Sequence, residues 1–375
     1  MNVLFLLRTL DPSSGGIQRV THLVSKKLEE KGINCFFAYK DESKNTVPQG
    51  KKIRLKLNHF QFPSEADFLA FIQKNSIDVL INQDIYLYPL LKTYKKIKAQ
   101  RICKIFNYFH LSPNFFLYDK RIHIRFLNLI FEAFFHVPYH VHSRSLMYDI
   151  ADKYIFLSET FKDDFKKLYG ILDEEKMEFI PNPLTYPEIA EASVLEKKKK
   201  QVLILTRFNE RQKNICSALR IWKKIEQQCP SCEWTLLLGG YGKDESVVLK
   251  YAKDLHLKNF KFLGKVFDSK KYYEDSSIFM MTSNFEGFGM TLTEAQQNGC
   301  IPMAFNTFPV LQDIIVSGEN GFVIERENET AYANKLCMLM NDSGLRRAMS
   351  NKCLDLVHKY DWNNLEPRWF ALLEK

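Results

Sequence analysis

A chain of 375 residues is too long for one comfortable core, so two domains are the expectation. A hydrophobic share of 46% and a charged share of 26% exclude a disordered or fibrous chain. The formal charge of +9, dispersed along the sequence, argues for anionic ligands or an anionic membrane face rather than nucleic acid.

"MNVLFLLRTL" holds a short apolar run stopped by Arg8, with no small-residue cleavage site after it, so it reads as a strand and not a signal peptide. No uninterrupted apolar stretch approaches the ~18 residues of a spanning helix. The expectation is a cytoplasmic protein, with contact at the inner face of the cell membrane left open. The eight cysteines show no disulfide framework, which fits a reducing compartment. Cys229 and Cys232 have metal-ligand or redox spacing but no second pair, and they precede a strand, so they read as structural.

Short apolar runs alternate with amphipathic stretches throughout, the rhythm of parallel sheets. "NVLFLL" is a buried strand, "GIQRVTHLVSKKLEEKG" a helix ended by Gly32, and "INCFFAY" the next strand. "IDVLINQ", "ICKIFNYFH" and "KYIFLS" continue the series. Gly15 and Gly16 form a turn ahead of the first helix, where a phosphate or an acceptor approaches. His136, His140 and His142 invite a metal, but Pro138 interrupts the helical spacing and no carboxylate or cysteine joins them. No metal site is expected there.

Residues 115–144 mix Phe115, Phe116, Phe126, Phe131, Phe134 and Phe135 with Lys120, Arg121, Arg125 and Arg144. Two readings stand: a core helix with a basic rim, or peripheral docking with aromatics in lipid and cations on headgroups. "EFIPNPLTYP", with three prolines, and the polar "EIAEASVLEKKKKQ" mark a domain boundary. The second half then restarts with "QVLILT", the helix "NICSALRIWKKIEQQ", "WTLLLGG", the helix "ESVVLKYAKDLH" and "FKFLG". "SIFMMTS", "IPMAF" and "GFVIE" supply further strands. The fold expected is α/β, two Rossmann-like doubly wound domains facing across a cleft, with ligands at the carboxyl ends of strands.

"NFEGFGMTLTEAQQNGC" follows the strand "SIFMMTS" and places Glu286 and Glu294 with seven residues between them. Gly289, Met290 and Thr291 open a helix, whose first N–H groups have no partner in the helix and suit an anion. Acids beside an anion site make sense for a ligand whose hydroxyls flank its phosphates, as in a nucleotide sugar. Arg207 and Lys213, after "QVLILT", supply two fixed cations for a diphosphate. The sequence contains no Asp-x-Asp, the usual anchor for a divalent ion in metal-dependent sugar transfer. A dinucleotide oxidoreductase is disfavoured because "GGYGKD" lacks the third glycine and the ribose-binding acid.

"PSSGGIQRV", "FIPNP", "TRFNERQKN", "LLLGGYG", "FLGKV", "NFEGFGMTLTEAQQNG" and "ENGFVIE" follow one another in an order that resembles the retaining glycosyltransferases of the GT-B fold, family GT4, over nearly the whole chain. The resemblance implies a retaining, metal-independent transferase with no cofactor. Its donor would be a nucleotide-diphosphate sugar, UDP-sugars before GDP-mannose, and its acceptor a lipid-linked glycan of cell-surface polysaccharide or lipopolysaccharide. It places Arg207, Lys213, Gly16, Gly289, Met290 and Thr291 on the diphosphate, and Glu294, Lys265 and Val266 on ribose and base. Glu286 and His110 would stand at the reacting sugar. It also implies an acceptor domain 1–183, a donor domain 184–358, and a final segment 359–375 returning as a helix to the first. Pro183 stands where the family has Gly, and Asn306-Thr307-Phe308 replaces a small, Gly-bearing loop. A nucleotide-sugar epimerase, a phosphorylase or a non-catalytic partner protein on the same fold is the alternative.

Overall fold

The computed structural model describes residues 1–43, 51–57, 63–83, 87–113, 137–229 and 232–375. They divide into two compact units: one holds the chain up to Thr185 together with Leu365–Lys375, and the other holds Tyr186–Asn364.

The first unit is built on a sheet in the order β3-β2-β1-β4-β5-β6-β7, every pair parallel. Its strands are β1 (Asn2–Leu7), β2 (Asn34–Tyr39), β3 (Lys51–Arg54), β4 (Val79–Asn82), β5 (Lys104–Phe109), β6 (Lys153–Phe156) and β7 (Met177–Phe179). Continuous apolar runs suit this arrangement because helices cover both faces of a parallel sheet. The helix Gly16–Glu29 buries Val20, Val24 and Leu28, one side chain per turn, and the chain leaves it through Gly32 at φ 82. β3 escaped the pattern reading: "KKIR" has no apolar run, because an edge strand covered on one side only can carry lysines.

Pro138 does not interrupt a helix, contrary to the sequence expectation. It lies in the first turn of the helix Val137–Ile150, where a missing N–H costs no helical hydrogen bond. His140 is buried there and His142 stacks on Tyr88 at 6.3 Å. Among the described residues no group of three or more His, Cys, Asp or Glu side chains is placed to hold a metal. His136 lies outside the described residues, as does 115–144 up to position 136. Of the aromatics and cations singled out in that segment, Arg144 is described; its guanidinium sits 4.9 Å over the Phe109 ring. Among the described residues no helix is long and apolar enough to cross a membrane.

The second unit has the sheet order β10-β9-β8-β11-β12-β13, again all parallel. These are β8 (Lys199–Arg207), β9 (Thr235–Tyr241), β10 (Phe260–Gly264), β11 (Ser276–Met281), β12 (Ile301–Phe305) and β13 (Phe322–Ile324). The helices Ile215–Gln228 and Glu329–Asn341 bring Leu219, Trp222, Ile225, Tyr332 and Leu336 into one core with Val202, Leu236 and Ile278 of the strands. The polar tract before β8 is not a solvated linker. Lys198 Nζ donates to the carbonyls of Tyr273 at 2.7 Å and Asn298 at 2.6 Å, and burial lowers its pKa. None of the eight cysteines, Cys229 and Cys232 included, forms a disulfide.

The helix Trp362–Glu374 continues into the first unit from Leu365 onward. Trp369 is fully buried and meets Tyr108 edge-on at 5.8 Å, while Tyr108 donates to the Ile180 carbonyl at 2.6 Å. Lys31 pairs with Glu366 at 2.9 Å.

Candidate functional site

The candidate site of the second unit lies at the carboxyl ends of β8 and β11. Two loops meet there and are stitched by backbone and side-chain hydrogen bonds. Asn284 N–H donates to the Gln212 carbonyl at 2.7 Å, Asn284 Nδ2 to the Arg211 carbonyl at 2.9 Å, and Thr282 Oγ1 to the Asn214 carbonyl at 2.9 Å. Asn214 turns the chain in the left-handed region at φ 48, between the helical turn Glu210–Lys213 and the helix Ile215–Gln228. This framework sets Lys213 against Glu286: Nζ lies 2.5 Å from Oε1, with side chains 18% and 9% exposed. From sequence alone these two residues belong to different parts of one ligand, Lys213 to the diphosphate and Glu286 to the sugar. The structure joins them in an ion pair, in which half-buried Lys213 supplies the counter-charge of buried Glu286.

Arg207 ends β8 and is exposed. A pocket at this edge is lined by Thr206, Lys213, Thr282, Ser283 and Thr291. Next to it Gly289 caps the helix Met290–Gln297 at φ 81, and Met290 and Thr291 form its first turn. A side chain at Gly289 would be strained by that φ, and its Cβ would lie 3.2 Å from the Phe308 ring. Phe308, one of the departures from the family loop, therefore fills the space beneath the turn. Thr307 donates to the Ser283 carbonyl at 2.8 Å and ties the same loop down.

Glu294 lies one turn into the helix, 2% exposed, and its Oε2 accepts from the Tyr273 hydroxyl at 3.0 Å. Burial, with the Glu294 charge beside it, pushes the Tyr273 phenol well up, so Tyr273 stays a donor. Nothing in local sequence spacing pointed to Tyr273, because the helix Ser269–Asp275 that carries it lies between β10 and β11. Lys265 and Val266 follow β10, with Val266 against the end of β9 close to Gly239.

Gly16 and His110 belong to the first unit. Gly16 is the first residue of its helix, behind a turn in which the Asp11 carboxylate accepts from Ser13 N–H at 2.9 Å and the Ser43 hydroxyl at 2.6 Å. His110 follows β5, 7% exposed, its ring 4.1 Å from Tyr108 and its Nε2 on Gln83 Oε1. Asn82 donates to Asn107 at 2.9 Å beside it, across the paired ends of β4 and β5. Burial lowers the His110 pKa to about 3, so the imidazole is neutral at physiological pH.

Residues 186–353 match the family model described as glycosyl transferases group 1. The chain is 26% identical over 230 residues to a poly(glycerol-phosphate) alpha-glucosyltransferase of Bacillus subtilis, covering 61% of this chain and 33% of that one. It is 31% identical over 183 residues to the amylovoran biosynthesis glycosyltransferase AmsD of Erwinia amylovora, covering 48% of this chain and 50% of that one. The chain thus spans half or less of the length of these curated relatives. The pneumococcal O-GlcNAc transferase GtfA, solved with UDP and GlcNAc, superposes with a TM-score of 0.77 at 11% identity, over 100% of this chain and 98% of that one. The fold is GT-B, and the second unit carries a glycosyl transferases group 1 domain.

Proposed function

We propose that this chain is a retaining, metal-independent glycosyltransferase. It moves a sugar from a nucleotide-diphosphate sugar, a UDP-sugar in the first instance, to a lipid-linked glycan acceptor of cell-surface polysaccharide or lipopolysaccharide. The observation that carries this reading is the Lys213–Glu286 pair at the carboxyl edge of β8 and β11, beside the helix that starts at Met290. A cation, an acid and a helix N-terminus within one stitched framework suit a ligand carrying phosphates next to hydroxyls. The named relatives and the solved neighbour, whose own names specify sugar transfer and bound UDP, support the same class.

In this reading the donor's diphosphate takes Lys213 from Glu286, together with Arg207 and the amides of Met290 and Thr291. Glu286 is then released to accept from hydroxyls of the transferred sugar, and Glu294, held by Tyr273, accepts from the ribose. The bond from the anomeric carbon to the diphosphate oxygen breaks, and the cations stabilise the leaving oxygen. That oxygen takes the proton of the acceptor hydroxyl as the new glycosidic bond forms on the same face. His110, neutral, hydrogen-bonds the donor sugar near the anomeric centre. The two fixed cations, and a sequence without Asp-x-Asp, support a reaction that needs no divalent ion.

The test is a thermal-shift panel of UDP, GDP, ADP and CMP, since a ligand specific for the folded state raises Tm by mass action. Stabilisation by one nucleoside diphosphate, followed by transfer from its sugar to a membrane-lipid extract, supports the proposal. No stabilisation by any of them overturns it. Sugar isomerised or released with no acceptor product would point to the epimerase chemistry instead.

A further inference from the structure

Four residues of the second unit close a ring of hydrogen bonds. In the lysine run 197–200, Lys199 meets Asp275 at the surface at 2.9 Å, whereas Lys198 turns inward. Its Nζ donates to the Tyr273 carbonyl at 2.7 Å and to the Asn298 carbonyl at 2.6 Å. Asn298 Nδ2 donates in turn to the Glu294 carbonyl at 2.8 Å, and the Tyr273 hydroxyl to Glu294 Oε2 at 3.0 Å. We propose that Lys198 is a positioning residue for nucleotide binding, fixing Tyr273 and Glu294 through their backbones so that the Glu294 carboxylate is presented to the ribose; this rests on the nucleotide-sugar reading above.

The two carbonyls that Lys198 serves belong to different helices. Tyr273 lies in the last turn of Ser269–Asp275, and Asn298 caps the end of Met290–Gln297. Carbonyls at a helix C-terminus lack partners within the helix and carry the negative end of its dipole. An ammonium brings three donors and a positive charge, so one group satisfies both ends. An apolar side chain of the same length would leave both carbonyls unpaired.

The chain leading to Lys198 is laid along the same two helices. The buried Gln297 side chain donates to the carbonyls of Tyr186 at 2.7 Å and Glu188 at 2.9 Å, and Ala190 N–H donates to the Gln297 carbonyl at 2.9 Å. Tyr186 shares a hydrogen bond with Ser269 at 2.7 Å and meets the Tyr273 ring edge-on at 6.5 Å. Nearer to Lys198, a Cβ on Gly299 would lie 2.7 Å from Leu195 Cδ2, so the two segments touch closely. Residues 186–198 thus brace the helices that carry Tyr273 and Glu294, and Lys198 ties one helix to the other. In the reading above neither Lys198 nor Asn298 touches the nucleotide, so their effect on it passes through Glu294.

The experiment is a double-variant cycle read by titration calorimetry, with whichever of UDP, GDP and ADP the wild-type protein binds. Lys198→Met is expected to raise the Kd about fivefold, less than the roughly tenfold rise for Glu294→Ala, because it misplaces the carboxylate without removing it. In a Glu294→Ala background the same substitution should add nothing, since its route to the ribose is already gone. Urea melts check that each variant is folded under the assay conditions. Lys198→Gln, which keeps a donor for the carbonyls, carries the cycle where Lys198→Met does not fold. An unchanged Kd, or an equal rise in both backgrounds, would overturn the positioning role while leaving the donor reading in place. A wild-type protein that binds none of the three nucleotides would remove both.

Discussion

The carboxyl edges of the two sheets use polarity in opposite ways. At the first, Asn82 with Asn107 and Gln83 with His110 form neutral hydrogen-bonded pairs buried at the ends of β4 and β5. At the second, Lys213 and Glu286 are ionised partners at the ends of β8 and β11. A neutral network can be buried when each polar atom finds a partner, whereas a buried charge also needs a counter-charge. The first edge is therefore ready to hydrogen-bond without changing its charge. The second can exchange one counter-ion for another, which is what a charged ligand requires.

The largest expected break in this contrast is at Lys213. Lys213→Ala should reduce transfer at least about a hundredfold, the usual scale for losing one fixed charge at a transition state. It should also leave Glu286 buried without its partner and cost the empty protein about 3 kcal/mol. Single-turnover rates and urea melts separate the two effects, and the double variant Lys213→Met/Glu286→Gln should regain stability but not turnover. Near-normal turnover by a folded Lys213→Ala protein would sink the assignment.

Acid should act on the first unit through His110. Folded, it binds a proton only near pH 3, against an ordinary value of 6.5, so between those values the unfolded chain holds more protons. Its stabilising contribution is present above pH 6.5 and is lost as pH falls toward 3, by roughly 4 kcal/mol at the acid end. Denaturant melts of wild type and His110→Gln between pH 7 and 4 should converge as the pH drops; parallel curves would mean that His110 is not the titrating group.

Smaller effects sharpen the second edge. Glu294→Ala should raise the Kd of the free nucleoside diphosphate about tenfold, while Glu286→Ala, which frees Lys213 for the diphosphate, should not raise it and should instead depress turnover. The reverse pattern would place the donor backwards. Tyr273→Phe removes the hydrogen bond to Glu294 and keeps the ring, so a rise in that Kd of about threefold is expected from calorimetry. The smallest effect is none at all: turnover after EDTA treatment should equal the untreated rate, and rescue by added Mg²⁺ or Mn²⁺ would contradict the metal-independent proposal.

The strands were legible because burial on both faces leaves continuous apolar runs such as "NVLFLL" and "SIFMMTS". β3 was not, because an edge carries polar residues, and Pro138 misled because a proline that breaks a helix also begins one. Lys198 lies in the polar tract that marks the domain boundary, yet two carbonyls distant in sequence take it into the interior. Arg207, Lys213, Glu286 and Glu294 stand out by type and spacing, whereas His110, Lys265 and Val266 are singled out through the family resemblance. Their partners are legible in neither way: Tyr273 on Glu294, Gln83 on His110 and Glu286 on Lys213 are set by chain crossings that no local pattern encodes.

Trp369 closes the core around Tyr108 from a point beyond the whole second unit. On a ribosome, the earlier strands of the first unit emerge long before the side chain that seals them. That half of the molecule must wait, incompletely packed, while residues 186–364 are made. Its maturation is therefore timed by the synthesis of its neighbour, and a nascent chain stalled anywhere in that stretch would leave Tyr108 without the Trp369 ring that covers it.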